Sequence, residues 1–316
     1  MVTGGGGFIG GRLVEALLAR GDQVVALVRD PRRATALADL GAEVIASDLS
    51  DVASLAADLE GADALVHAAG RYRIGIPKSE WGAMWDANVG TTTRILDAAE
   101  AARTPRIVHV STVNVFGNTH GRVVDETYRR VLAEGFLTWY DETKYGAHEV
   151  AEQRVGGGAP IVIAMPSQVY GPGDHTEVGE QLRLAALGRL PYRALDEVGI
   201  GFVHVDDLAA GLVGALDRGA VGESYVLSGP TALLADVVAL AAAAGGHRPP
   251  RLRIPTGLLR LVAPAGRLIG RANLRELIAS GAGVTYWASS AKAERDLGFR
   301  PRDLEQGIRD TFGRPD

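Results

Sequence analysis

The chain has 316 residues, 47% of them hydrophobic and 22% charged, and a formal net charge of −5. Such a length holds two ordinary domains or one large domain with an attached lobe, and an acidic balance without a basic stripe excludes a nucleic-acid partner. Zero cysteines exclude disulfides, thiolate metal ligands and cysteine nucleophiles.

The start, Val2-Thr3 and then glycines, carries no basic-then-apolar leader, so a cytoplasmic location is expected. Gly4, Gly7 and Gly10 are spaced G-x-x-G-x-x-G before a helical pattern of Leu13, Leu17 and Leu18 that stops at Gly21. This spacing lets the backbone turn tightly against a pyrophosphate, whose charge then sits on the helix amino terminus. A flexible linker is the plain alternative for a glycine run, but the strand-like start and amphipathic helix around it argue against that. Only Met1 and Val2 precede Thr3, so the first strand is expected to be very short, or the start late.

Gln23 to Val28 forms an apolar strand ending at Arg29-Asp30-Pro31, and Val44 to Ala46 forms another ending at Asp48-Leu49. Ala64 to Ala69 and Ile107 to Val110 repeat the pattern around a long helix from about Glu80 to Ala102, and Ile161 to Ala164 adds a further strand. Near-continuous apolar strands alternating with helices predict an α/β fold, a doubly wound parallel sheet of the Rossmann type. Gly156-Gly157-Gly158 marks a helix end. The alanine-rich run Thr231 to Gly246, interrupted by Asp236, is too short to span a bilayer and predicts a packed helix. Residues 1–170, joined by about 196–228, are expected to form the dinucleotide-binding unit, and 171–195 with 229–316 a smaller C-terminal substrate lobe.

Tyr140 stands four residues before Lys144, one of only three lysines among 33 basic residues. Helical positions four apart share a face, so phenol and ammonium can reach one bound molecule together. A surface aromatic beside a solvated lysine is the plain alternative.

The motifs Thr3-Gly4-x-x-Gly7-Phe8-Ile9-Gly10, His67-Ala68-Ala69, Asn88-Val89-x-Thr91, Val110-Ser111-Thr112-x-x-Val115-Phe116-Gly117, Tyr140-x-x-x-Lys144, Val169-Tyr170-Gly171-Pro172 and Val203-His204-Val205-Asp206-Asp207 follow one another along the chain. In this order they resemble the extended short-chain dehydrogenase/reductases, also called the NAD-dependent epimerase/dehydratase family. The resemblance runs to Ser290-Ala291-Lys292 and Leu297-Gly298-Phe299, and is nearest to the dihydroflavonol-reductase-like branch and its bacterial hopanoid-associated relatives.

The resemblance implies that Tyr140 exchanges a proton with a carbonyl oxygen as hydride moves to or from a nicotinamide. Lys144 and the oxidised ring would bring its phenol from about 10 toward neutrality, and Lys144 would also bond the nicotinamide ribose. Thr112 would orient the substrate oxygen, with Ser111 as runner-up and backbone capping as the plain role of both hydroxyls. Asn88 would hold a water in the proton path or only satisfy local backbone. Gly4, Gly7, Phe8, Ile9 and Gly10 would hold the pyrophosphate, and Asp48 and Leu49 would flank the adenine. Ala68, Ala69 and Gly70 would pass beneath the pyrophosphate and ribose. Pro166 to Val169 would lie near the carboxamide, although Met165 replaces the arginine often found before that proline. His67 would be a buried, hydrogen-bonded histidine. The His204 to Asp207 segment would be a strand-to-helix turn capped by an aspartate, and no metal is assigned.

The leading expectation is a reductase of a ketone or aldehyde on a moderately apolar substrate. The alternative is a nucleotide-sugar epimerase or dehydratase, whose members usually carry a phosphate-binding arginine two residues before the aromatic of Phe202-Val203-His204. Here Ile200-Gly201 stands instead, with Arg189, Arg193 or Arg251 as possible substitutes. A nonenzymatic cofactor sensor conflicts with intact Thr112, Tyr140 and Lys144. By analogy with the family, the acidic position that holds an NAD ribose falls on Val28, and Arg29 follows, which predicts NADP(H). Arg32 and Arg33 are expected to be solvated, whereas a rotated Asp30 would restore NAD. Arg71 to Lys78 and Asn118 to Leu137 are expected to be the loops that carry specificity, whose Tyr72, Arg73, Tyr128, Phe136 and nearby Trp139 would either line an apolar pocket or pack the loops on themselves. The family's habit predicts a homodimer paired through the helices near Glu80 to Ala102 and Tyr140 to Val155, with no membrane partner.

Overall fold

A computed structural model describes residues 1–262 and 273–313. In chain order the strands are β1 (Val2–Thr3), β2 (Val25–Val28), β3 (Glu43–Ala46), β4 (Leu65–His67), β5 (Ile107–Val110), β6 (Ile161–Pro166), β7 (Gln168–Tyr170), β8 (Arg193–Ala194), β9 (Gly199–His204), β10 (Ser224–Leu227), β11 (Thr231–Leu233), β12 (Arg253–Ile254) and β13 (Thr285–Tyr286). Seven of them form one sheet in the order β10-β6-β5-β4-β1-β2-β3, every pair parallel.

Successive strand residues face opposite sides of the sheet, so near-continuous apolar strands fill two cores. Leu65, Ile107 and Ile161 point into one core and their neighbours Val66, Val108 and Val162 into the other. Helix α1 (Phe8–Ala19) covers the second core through Leu13, Val14 and Leu17. α2 (Thr35–Asp39) follows β2, and α3 (Val52–Asp58) covers the first core through Leu55. α1 stops where Gly21 takes a positive φ of 94° and its N–H returns to the Leu18 carbonyl at 2.9 Å.

The predicted long helix is interrupted: α4 (Trp81–Trp85) passes through a π turn (Asp86–Gly90) into α5 (Thr91–Ala101). The hydroxyls of Thr91, Thr92 and Thr93 donate to the carbonyls of Asp86, Asn88 and Val89, which pairs backbone oxygens across this transition. α6 (Trp139–Gly156) begins at Thr138, whose hydroxyl accepts from the Asp141 N–H at 3.0 Å.

A second sheet runs β11-β9-β13, with β7 also on β9, and β8 pairs with β12. α7 (Glu177–Ala186), α8 (Val205–Arg218) and α9 (Leu234–Ala244) complete the elements that bear on the site. The run at Thr231 is strand for its first three residues and helix only from Leu234, because Thr231 to Leu233 adds antiparallel to β9. Within the stretch 196–228, β9 belongs to the second sheet, while β10 pairs with β6 and α8 packs on the second core. Lobe residues 263–272 and 314–316 lie outside the described residues. The turn into α8 is capped by His204 rather than an aspartate: its Nδ1 accepts from the Asp206 N–H at 3.3 Å, and Asp207 instead holds Arg302 at 2.8 Å. Among the described residues, no helix is long and apolar enough to cross a membrane.

Candidate active site

At β1 the strand order reverses, and the carboxyl ends of the strands open there into a cleft of about 1490 Å³. Gly4, Gly7, Phe8, Ile9 and Gly10 line it, as do Arg29, Asp48 and Leu49. Ala68, Ala69, Gly70, Pro166 and Val169 line it too, together with Thr112, Tyr140 and Lys144. Residues far apart in the chain thus meet at one surface because parallel strands all end on the same edge.

The glycine turn fits a dinucleotide. Gly4 has a φ of 73°, and a β-carbon there would come within 2.8 Å of the Ala69 nitrogen. A β-carbon on Gly10 would collide with the Gly4 carbonyl oxygen. Both glycines therefore let β1, β4 and α1 close on one another. Gly7 caps α1 without a side-chain bond, and no acidic residue occupies its first turn, so the helix amides and dipole face the cleft uncompensated.

Lys144 is buried, and its ammonium donates to the Val110 carbonyl at 3.1 Å; burial lowers it to about 8. Thr112 lines the cleft, and its hydroxyl also accepts from the Asn114 N–H at 3.3 Å. Ser111 lines the cleft as well, but its hydroxyl is paired with His148 Nδ1 at 3.0 Å. The Tyr140 phenol is pushed above its ordinary value by burial first, then by Tyr72 and Asp141, while the Thr112 hydroxyl pulls it down. Apart from any bound nicotinamide ring, the chain's own groups favour the protonated phenol, burial first.

Asn88 does not line the cleft. It is buried, accepts from the Arg71 N–H at 2.7 Å, and donates to the Arg71 carbonyl at 3.1 Å and the Thr143 hydroxyl at 2.9 Å. It braces the loop after β4 against α6. His67 lies behind the cleft, bonded to Thr3 at 2.7 Å and Thr92 at 3.1 Å, and burial lowers it to about 3. Among the described residues, no group of three or more His, Asp or Glu could hold a metal ion.

Of the loop aromatics, only Tyr72 lines the cleft, its ring edge-on to Tyr140 with centroids 4.8 Å apart. Tyr128 packs on Phe116, Phe136 on Tyr145, and Trp139 stacks on Trp81 at 4.4 Å. Sequence reasoning missed Asp141 and Tyr286, which also line the cleft. Asp141 carried a signal in its place beside Tyr140, whereas Tyr286 reaches the cleft only through the second sheet.

Burial pushes the Asp141 carboxyl up from 3.8 to about 6, against bonds from Asn114 and Thr138, with Arg130 lowering and Glu276 raising it. A carboxyl that holds its proton more tightly when folded stabilises the fold below its unfolded pKa, and that contribution is lost as pH rises from about 4 to 6. Asp141→Asn is therefore expected to raise Tm at pH 7.5 relative to wild type by more than it does at pH 4. The difference corresponds to roughly 2–3 kcal/mol, and equal shifts at both pH values would refute it.

Residues 1–228 match the NAD dependent epimerase/dehydratase family. Over 98% of this chain and 97% of the relative, the chain is 30% identical to a 2-alkyl-3-oxoalkanoate reductase of Stenotrophomonas maltophilia. The crystal structure of gox2253 superposes with a TM-score of 0.85 at 32% identity, covering 98% of this chain and 95% of that one. A dTDP-glucose 4,6-dehydratase from Streptomyces venezuelae, with NAD bound, superposes with a TM-score of 0.79 at 25% identity, covering 98% and 94%.

Proposed function

The chain belongs to the NAD dependent epimerase/dehydratase family, the extended short-chain dehydrogenase/reductases, and on that premise we propose that this NAD(P)-dependent oxidoreductase reduces a ketone or aldehyde on a moderately apolar substrate. The observation that carries the reading is the meeting of Thr112, Tyr140 and Lys144 in a cleft whose remaining wall includes Ile74, Ile200, Leu234 and Leu277. When bound, the nicotinamide supplies the hydride. The glycine turn and the bare start of α1 bind its pyrophosphate, Thr112 orients the carbonyl oxygen, and the protonated Tyr140 donates to it. Asn88 is a positioning residue, acting through Arg71 and Thr143.

The nucleotide-sugar alternative draws support from the dehydratase likeness. It needs cations for a diphosphate, and none of Arg189, Arg193 and Arg251 lines the cleft. Arg71 does line it, but pairs with Glu80 at 2.6 Å.

For the cofactor we favour NADP(H). Arg29 is exposed at the end of β2 and lines the cleft; Asp30 lines it too, but its carboxylate caps the turn at Pro31 and holds Arg32 at 3.0 Å. Arg32 is thereby directed onto its own turn; the Arg33 side chain lies outside the described residues. A hydrogen bond to a charged group contributes about 1.5–3 kcal/mol, which implies roughly 10–150-fold discrimination from Arg29. The test measures kcat/KM with NADPH and NADH across a panel of apolar ketones, aldehydes and nucleotide sugars, for wild type and Arg29→Ala. NADPH oxidation with the carbonyls, and a preference that collapses in Arg29→Ala, are expected. Equal use of NADH by wild type would remove Arg29 from the site, and conversion of a nucleotide sugar without net cofactor oxidation would move the chain to the alternative.

A further inference from the structure

We propose that Asp141 and Tyr286 form a subsite for a hydroxyl group carried close to the reducible carbonyl, a specificity determinant that rests on the reductase reading of the cleft. Asp141 lies in the first turn of α6 and Tyr286 ends β13, so the two reach the cleft from different sheets and helices. They are 1% and 6% exposed. Asp141 Oδ1 accepts from Asn114 Nδ2 at 3.0 Å, but Oδ2 is buried without a hydrogen-bond partner, and so is the Tyr286 hydroxyl. A buried polar atom left unpaired costs about 1–3 kcal/mol, and a ligand that completes both bonds explains why two persist on one cavity.

The surrounding groups do not complete them. The Arg130 guanidinium lies 4.2 Å over the Phe136 ring and donates to the carbonyls of Asn114 and Gly135, while its Nε is itself buried without a partner and bonds neither atom. Glu276 takes the Gly75 N–H at 3.1 Å. The Tyr72 and Tyr140 rings meet edge-on, and the Tyr140 hydroxyl bonds to Thr112.

A carboxylate only accepts, whereas a phenol can donate. One hydroxyl satisfies both, giving its hydrogen to Oδ2 and taking one from Tyr286; a carbonyl or ether oxygen would leave Asp141 unmet. Asp141 bears electrostatically on both Tyr140 and Tyr286, which places the hydroxyl on the catalytic side of the cleft. Ile74, Leu234 and Leu277 leave apolar surface for the rest of the molecule.

The test is calorimetric binding, without cofactor so that nothing turns over, of benzoin and of deoxybenzoin, which lacks only the hydroxyl. Wild type is expected to bind benzoin at least about tenfold more tightly, equivalent to about 1.4 kcal/mol. The preference should fall below about threefold in Tyr286→Phe and Asp141→Leu. Equal binding by wild type, no binding of either compound, or a preference that persists in both disruptive variants overturns the proposal, the last two leaving ordered water as the partner of these atoms. NADPH oxidation with deoxybenzoin tests the reductase reading separately. Benzoin preference without carbonyl turnover supports the subsite and removes that reading; turnover with equal binding does the reverse.

Discussion

Tyr140→Phe is expected to lower kcat for carbonyl reduction by about 10²–10⁴-fold, the range for losing a positioned general acid, while NADP(H) affinity stays within about threefold of wild type. The ring keeps its place edge-on to Tyr72, so packing survives and only the proton is lost. Burial and acidic neighbours hold this phenol in its protonated form, the form a reduction consumes. Lys144→Ala should behave differently and weaken both turnover and cofactor binding, since its ammonium ties α6 to the end of β5 beneath the cleft. Stopped-flow hydride transfer and cofactor titration separate the two outcomes. More than about a tenth of wild-type turnover in Tyr140→Phe would show that another group supplies the proton.

The second large effect is expected at Gly10→Ala, which should weaken NADP(H) binding at least about tenfold and lower Tm by several degrees. The added methyl meets the Gly4 carbonyl oxygen, a backbone atom that cannot rotate away, so α1 must back off from the turn it follows. Overpacking of this kind costs about 1–3 kcal/mol or more. The displaced helix start carries the amides that would hold the cofactor's pyrophosphate on the proposed reading. Wild-type affinity and an unchanged Tm in this variant would mean that the turn tolerates a side chain and that the glycine spacing is incidental.

The parallel sheet was legible because its signals are local. Apolar strands, glycine at the first turn and helical periodicity in Leu13, Leu17 and Leu18 each depend on neighbours a few residues away. The glycine turn and the Tyr140–Lys144 pair carry local signals of the same kind, whereas Thr112 follows only from the family resemblance. The π turn at Asp86–Gly90 was not legible, because the threonine back-bonds around it leave no mark in hydrophobic spacing. Nor was the strand at Thr231, whose conformation comes from pairing with β9.

Sequence by itself determined which groups the cleft possesses: a phenol, an ammonium and a hydroxyl on fixed strand and helix ends, and a glycine turn narrow enough for a pyrophosphate. Tertiary structure decided what each group is free to do. It sets the half-buried Tyr140 beside Asp141 and Tyr72, pairs the Ser111 hydroxyl with His148, commits Asn88 to the Arg71 loop, and brings Tyr286 in on a second sheet. The reason is physical: residue type and spacing follow the chain, whereas desolvation, competing hydrogen bonds and neighbouring charge depend on segments that meet only when the fold closes.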